Sequence, residues 1–243
     1  MFKTKKVIIF DLDGTLIDSI GIWNIVDREL IKYISNNNIV DLNIIQKIRD
    51  NFFINNYNGN IYYDYCKLLK KMYKSKYNAE YILKIRNNIS NKYLVNQIDF
   101  KPYAAEFLYL LKNMGYKIVL ATNSEMAQIN IYKKNNNINS KINFNDFFNL
   151  IVCSDDISKK KPDPEIYNKV IETLGVKSSD CLVIEDSLVG VKSAHNAKID
   201  VVCIYDKYSE NDKNEIINLS NYYFNDYKSM IDMLKNELSS QLI

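Results

Sequence analysis

Lys5-Lys6-Val7-Ile8-Ile9-Phe10-Asp11-Leu12-Asp13-Gly14-Thr15-Leu16 is the stretch that decides the fold. Lys5 to Phe10 reads as a continuous apolar strand, the kind buried on both faces of a parallel sheet. Two carboxylates, Asp11 and Asp13, follow it at once. Ligands of open α/β sheets bind beyond the carboxyl ends of the strands. Like charges this close raise each other's pKa unless a cation lies between them. The pair therefore marks a candidate site, where the dipeptide Asp13-Gly14 by itself would allow a plain polar turn.

Three more apolar runs follow, at Tyr116 to Ala121, Cys181 to Ile184 and Val201 to Tyr205, with a weaker one at Leu150 to Cys153. Helical patterns separate them at Ala104 to Met114, Glu125 to Asn135, Pro164 to Leu174 and Leu188 to Ala197. Gly115 and Gly175 stand where two of these helices should stop. A last helix fits Asn225 to Leu238. Strands alternating with helices mean βαβ units, hence an α/β fold with a parallel sheet covered on both faces.

Residues 19–95 break this alternation. Ile22, Trp23, Ile25, Val26, Leu30, Ile31 and Ile34 recur at helix spacing. So do Tyr62, Tyr65, Cys66, Leu69 and Met72, and again Tyr81, Ile82, Ile85, Ile89 and Tyr93. No buried strand is legible among them. An all-helical domain, 19–95, is thus expected to be inserted into a core made of 1–18 and 96–243. The runs Asn36-Asn37-Asn38 and Asn135-Asn136-Asn137 read as polar loop tips between periodic segments.

The ends of three other strands also carry polar groups. Thr122-Asn123-Ser124 follows the second strand just before a helix, where N–H groups favour a phosphate. Alone, Thr122 or Ser124 could equally be an N-cap. In Lys159-Lys160-Lys161-Pro162-Asp163-Pro164, Pro164 suits a first helical turn, Asp163 a cap, and the prolines single out Lys161 from a run that would otherwise be a solvated face. Glu185-Asp186-Ser187 ends the Cys181 strand with two acids suited to a hard cation, although Asp186 or Ser187 could cap the next helix.

Composition narrows the classes. With 47% hydrophobic and 25% charged residues the chain is neither disordered nor fibrous. A net charge of +3, from 32 basic and 29 acidic residues, argues against a nucleic-acid partner. No apolar run reaches about 18 residues, so no membrane partner is expected, and Val7 to Phe10 is too short for a secretory leader, which places the protein in the cytoplasm. Cys66, Cys153, Cys181 and Cys203 are scattered without a C-x-x-C pair, so buried thiols are the simple reading against a disulfide or zinc site. His195 lies apart from every motif and reads as structural.

The four polar segments, in this order, resemble the four motifs of the haloacid dehalogenase superfamily, and the helical insertion resembles its C1-capped branch of phosphoglycolate phosphatase-like and β-phosphoglucomutase-like enzymes. The match covers most of the chain outside 19–95. The resemblance implies a Rossmann-like parallel-sheet core with an inserted helical cap. It implies a magnesium-dependent phosphatase acting on a small phosphorylated metabolite through an aspartyl phosphate. Asp11 would be the nucleophile and Asp13 the general acid and base. Thr122, the Asn123 N–H and Lys161 would hold the phosphoryl group. Asp11, the Asp13 carbonyl, Glu185 and Asp186 would hold Mg2+. The alternative is a phosphomutase on the same aspartyl phosphate, disfavoured because Trp23 stands where such mutases tend to carry a histidine. A monomer or small homo-oligomer is expected. Trp23, Arg49, Tyr57, Tyr62 and Tyr63 are candidate specificity residues in the cap. One departure is Ala197-Lys198, where the family usually has Ala-Gly.

Overall fold

The computed structural model describes residues 1–35, 41–56 and 60–239. The Asn36-Asn37-Asn38 run lies outside the described residues. By chain contacts the protein divides into two compact units, Met1–Asp18 with Asp99–Ile243, and Ser19–Ile98.

The first unit is built on a six-stranded sheet. Its strands are β1 (Val7–Phe10), β2 (Lys117–Ala121), β3 (Leu150–Val152), β4 (Cys181–Glu185), β5 (Asp200–Ile204) and β6 (Tyr222–Phe224). Every pairing is parallel and the order is β3-β2-β1-β4-β5-β6. All four β1 side chains are wholly buried, which is why the sequence runs Val-Ile-Ile-Phe without alternation. Val7 and Ile9 join a cluster with Val119, Val183, Ile166, Val170 and Val191. Phe10 meets Phe107, edge to face, with ring centroids 6.1 Å apart.

The second unit holds α1 (Ile20–Ser35), α2 (Leu42–Asn55), α3 (Ile61–Met72) and α4 (Ala79–Asn96). Leu30, Ile31, Ile45, Tyr65, Leu69 and Ile82 form its core. The helices of the first unit are α5 (Ala104–Asn113), α6 (Met126–Tyr132), α7 (Asn136–Asn139), α8 (Phe144–Phe147), α9 (Glu165–Leu174), α10 (Leu188–Asn196), α11 (Lys213–Leu219) and α12 (Tyr227–Ser239). Among the described residues no helix is long and apolar enough to cross a membrane. All four cysteines are buried and unbridged.

The α/β architecture agrees with the sequence reading, and the differences lie in single elements, among them the unforeseen short helix α8. α2 was not legible because its buried face carries Arg49, which breaks the apolar stripe. The edge strand β6 and the short α11 were also missed, since Tyr222 and Ile217 are exposed and neither segment has a clean period. The helix read as Glu125 to Asn135 is two: α6 stops at Tyr132 and α7 begins at Asn136. Between them Asn135 is no loop tip. It is wholly buried, and its side-chain oxygen accepts from the N–H groups of Asn137 and Ile138.

Candidate active site

The strand order reverses beside β1, and the crevice at such a point is where an open α/β sheet binds its ligand. Phe10 is in register with Ile184 on one side and Leu120 on the other. Asp11 and Thr122, which follow β1 and β2, and Glu185, which ends β4, are therefore delivered to one end of the sheet. The Asp11 N–H donates to the Ile184 carbonyl (3.0 Å), continuing the ladder one residue past β1. The chain then turns tightly, with Gly14 N–H on the Ile17 carbonyl (2.9 Å). Gly14 sits at φ +87°, a conformation that favours glycine.

Asp11, Glu185 and Asp186 are all buried, and each offers a carboxylate oxygen within 4.8 Å of the others. Lys161 lies among them, 4% exposed. Its Nζ donates to Asp11 Oδ1 (2.7 Å), Glu185 Oε1 (2.6 Å) and the Ala121 carbonyl (2.9 Å). Its neighbour Lys159 is exposed, so Lys161 is indeed set apart from the basic run. The loop that presents it is held by Glu165, whose carboxylate accepts from the Ser158 and Lys159 N–H groups (2.8 Å each). The N-cap of α9 is Pro164 and not Asp163, which stands one residue earlier and accepts from the Glu165 N–H (3.0 Å).

Glu185 is bound on both oxygens. Oε1 also accepts from Tyr167 OH (3.1 Å), and Oε2 from the Asp186 N–H (3.1 Å) and Ser187 Oγ (3.3 Å). Asp186 accepts from Thr15 Oγ1 (2.6 Å), which ties the first motif to the fourth. Gly190 leaves room for this arrangement: a Cβ there would lie 1.8 Å from Glu185 Oε1.

Electrostatics follow from three buried acids sharing one ammonium. Burial, with Glu185 adding to it and Lys161 opposing it, pushes the Asp11 carboxyl from 3.8 up to about 7. Burial and the Glu185 charge raise Asp186 well above the carboxylate range. Burial works against the Lys161 ammonium, but Asp11 and Glu185 outweigh it and hold the lysine charged. Three acids against one ammonium leave a formal negative excess that protons relieve in part, and such a set of oxygen donors fits a hard divalent cation such as Mg2+.

The other named residues lie around this cluster. The Asp13 carboxylate accepts from Ser124 Oγ (2.6 Å) and Tyr132 OH (2.6 Å). Thr122 Oγ1 accepts from the Ser124 N–H (3.1 Å). Asn123 Oδ1 accepts from the Lys161 N–H (3.1 Å), a loop-holding contact the sequence reading did not foresee. Tyr132 and Tyr167 were also missed. Both sit within helices as apparent core aromatics, and only their hydroxyls distinguish them from Phe. His195 is exposed on α10.

The family model for haloacid dehalogenase-like hydrolases matches residues 5–198. The chain belongs to that family. Among relatives of this hydrolase, the phosphoglycolate phosphatase of Aquifex aeolicus is 29% identical over 195 residues, 79% of this chain and 81% of that one. The glyceraldehyde 3-phosphate phosphatase of Pyrococcus furiosus is 27% identical over 240 residues, 97% and 95% of the two chains. Several other curated relatives are matched over less than two thirds of their own length. The crystal structure of CbbY from Rhodobacter sphaeroides in complex with phosphate superposes with a TM-score of 0.69 at 16% identity, covering 92% of this chain and 95% of that one. That likeness shows a shared fold.

Within the helical unit, the specificity candidates divide. Arg49 is interior: it donates to Asp27 Oδ2 (3.1 Å) and Asn24 Oδ1 (2.8 Å). Trp23 and Tyr62 flank the buried Arg86 guanidinium, 4.8 and 5.4 Å from their ring centroids. Tyr63 lies under the Lys67 ammonium (4.5 Å) and packs on the helical core. Tyr57 lies outside the described residues.

Proposed function

We propose that this hydrolase is a magnesium-dependent phosphatase of small phosphorylated metabolites, working through an aspartyl phosphate on Asp11. One observation carries the reading: Lys161 Nζ bridges Asp11 and Glu185 in a buried group completed by Asp186. The phosphatase names of relatives aligned over 79% and 97% of the chain support it.

In this reading Asp11, Asp186 and the Asp13 carbonyl would hold the metal, and Glu185, whose oxygens are taken by Lys161, Tyr167 and Ser187, would contribute mainly charge. When bound, the ion neutralises Asp11 and the phosphoryl oxygens. Asp11 attacks phosphorus, the ester P–O bond breaks, and the departing alcohol oxygen takes a proton from Asp13. A water then attacks the same phosphorus and gives its proton to Asp13. The bond to Asp11 breaks, releasing phosphate and restoring the carboxylate. Thr122, the Asn123 N–H and Lys161 hold the phosphoryl oxygens throughout. Residues 19–95 serve as the cap that selects the substrate.

The test is phosphate release from a panel of phosphomonoesters (sugar phosphates, phosphoglycolate, nucleotides, pyridoxal phosphate), with magnesium, with chelator, and with Asp11→Asn. Magnesium-dependent release that vanishes in Asp11→Asn is expected. Release unaffected by Asp11→Asn overturns the mechanism. Isomerisation of a sugar phosphate without net release overturns the phosphatase in favour of a mutase.

A further inference from the structure

The Asp13 carboxylate is gripped on both oxygens by hydroxyls. Ser124 Oγ donates to Oδ2 and Tyr132 OH to Oδ1, each at 2.6 Å. We propose that Tyr132, backed by Gln128, is a positioning residue for Asp13, fixing the plane in which Asp13 passes its proton to the leaving alcohol. The proposal rests on the phosphatase reading above and deepens it.

A carboxylate held at one oxygen still swings about its terminal torsion; held at both, its plane is set. Ser124 is itself fixed, with its N–H on Thr122 Oγ1 and its carbonyl accepting from the Ser154 N–H (3.1 Å). Tyr132 approaches from the last turn of α6 and is wholly buried. A buried hydroxyl is costly unless it is hydrogen-bonded, and Phe would fill the same ring volume without it. Gln128, one helical turn earlier on the same face, donates Nε2 to the Tyr132 oxygen (2.5 Å). That bond occupies the phenol oxygen as acceptor and turns its proton toward Asp13. The choice of hydroxyls also matters. A hydroxyl can donate to a carboxylate or accept from a carboxylic acid, so Ser124 can follow Asp13 through both halves of the reaction. A lysine or arginine could hold only the anion.

General-acid help matters most when the leaving group is a poor one. The experiment therefore compares kcat/KM for the best alkyl phosphate of the panel with kcat/KM for 4-nitrophenyl phosphate, whose phenol departs unaided. For Tyr132→Phe, a loss of about tenfold is expected on the alkyl ester and less than about threefold on the aryl ester. Gln128→Leu, which leaves the buried ring intact, should show the same selectivity more weakly and carries the test if Tyr132→Phe does not fold. Equal losses on both esters, or no loss, overturn the positioning role while leaving the phosphatase standing. A wild-type protein that hydrolyses neither ester overturns the phosphatase reading, and this inference with it.

Discussion

The chain buries charge in two places, and they are built to opposite ends. At the carboxyl ends of β1 and β4, three acids, Asp11, Glu185 and Asp186, share the ammonium of Lys161. Inside the helical unit, one wholly buried acid, Asp27, is matched by two guanidiniums, Arg49 (3.1 Å) and Arg86 (3.3 Å). Tyr65 OH also donates to Asp27 (3.2 Å), Asn24 and Gln46 extend the chain of hydrogen bonds, and aromatic rings enclose Arg86. The helical network answers Asp27 fully from within, and the half-exposed Asp50, 3.6 Å from Arg49, offsets the second guanidinium. The strand-end cluster sets three acids against one ammonium, and the strain of that excess is relieved by raising the Asp11 and Asp186 carboxyls.

Breaking each network should therefore harm a different property. Asp11→Asn should lower phosphate release by roughly 10³-fold or more while leaving the urea midpoint unchanged or raised, since it removes a repelling buried charge. Asp27→Asn should do the reverse. It strands two guanidiniums and should cost about 3–5 kcal/mol in urea melts, with turnover per folded molecule largely kept. If Asp27→Asn melts like the wild type, the buried Asp27 network does not hold the helical unit together.

Metal binding sharpens the same contrast. Burial pushes the Asp11 carboxyl of the folded chain up to about 7, against 3.8 ordinarily. Between those values the folded state keeps a proton that the unfolded state has lost, so stability falls as pH rises from about 4 to about 7. A cation takes the proton's place. The stabilisation by magnesium, followed as a rise in Tm, should grow across that window, toward about 3 kcal/mol at a hundredfold excess over Kd. A magnesium shift that does not change with pH would contradict the raised Asp11.

Smaller effects come from the backbone around the site. Gly190→Ala would force Glu185 out of its contacts with Lys161 and Tyr167, at a cost of about 1–3 kcal/mol and with slower turnover. Turnover at the wild-type rate would show that Glu185 can move freely. Lys198 stands at φ +57° after α10, where the family pattern has glycine. Lys198→Gly should stabilise by less than about 1 kcal/mol, visible as a small rise in Tm without a change in rate.

Much of the site was legible in the sequence because each motif abuts a strand with an unambiguous apolar signature. Once Val7–Phe10, Lys117–Ala121 and Cys181–Glu185 are parallel neighbours, Asp11, Thr122, Glu185 and Asp186 must emerge at one end. Lys161 was legible for a different reason, its proline-framed turn. Tyr132, Tyr167 and Arg49 were not legible as polar partners. Each occupies a helix position whose spacing reads as core or surface, and a buried hydrogen bond leaves no period behind it. α2 and the break at Asn135 escaped for the same reason, since a buried polar side chain looks like a loop or an exposed face until its partner is known.

By itself, the sequence determined the parallel α/β core, the helical character of the inserted segment and the identity of the acids at the strand ends, because local periodicity and chain order suffice for these. The tertiary structure alone decided which charges face one another. It set Lys161 against both Asp11 and Glu185 from 150 and 24 residues away in the chain, and Tyr132 against Asp13 from 119. Hydrogen bonds act over about 3 Å, a scale that sequence separation does not carry.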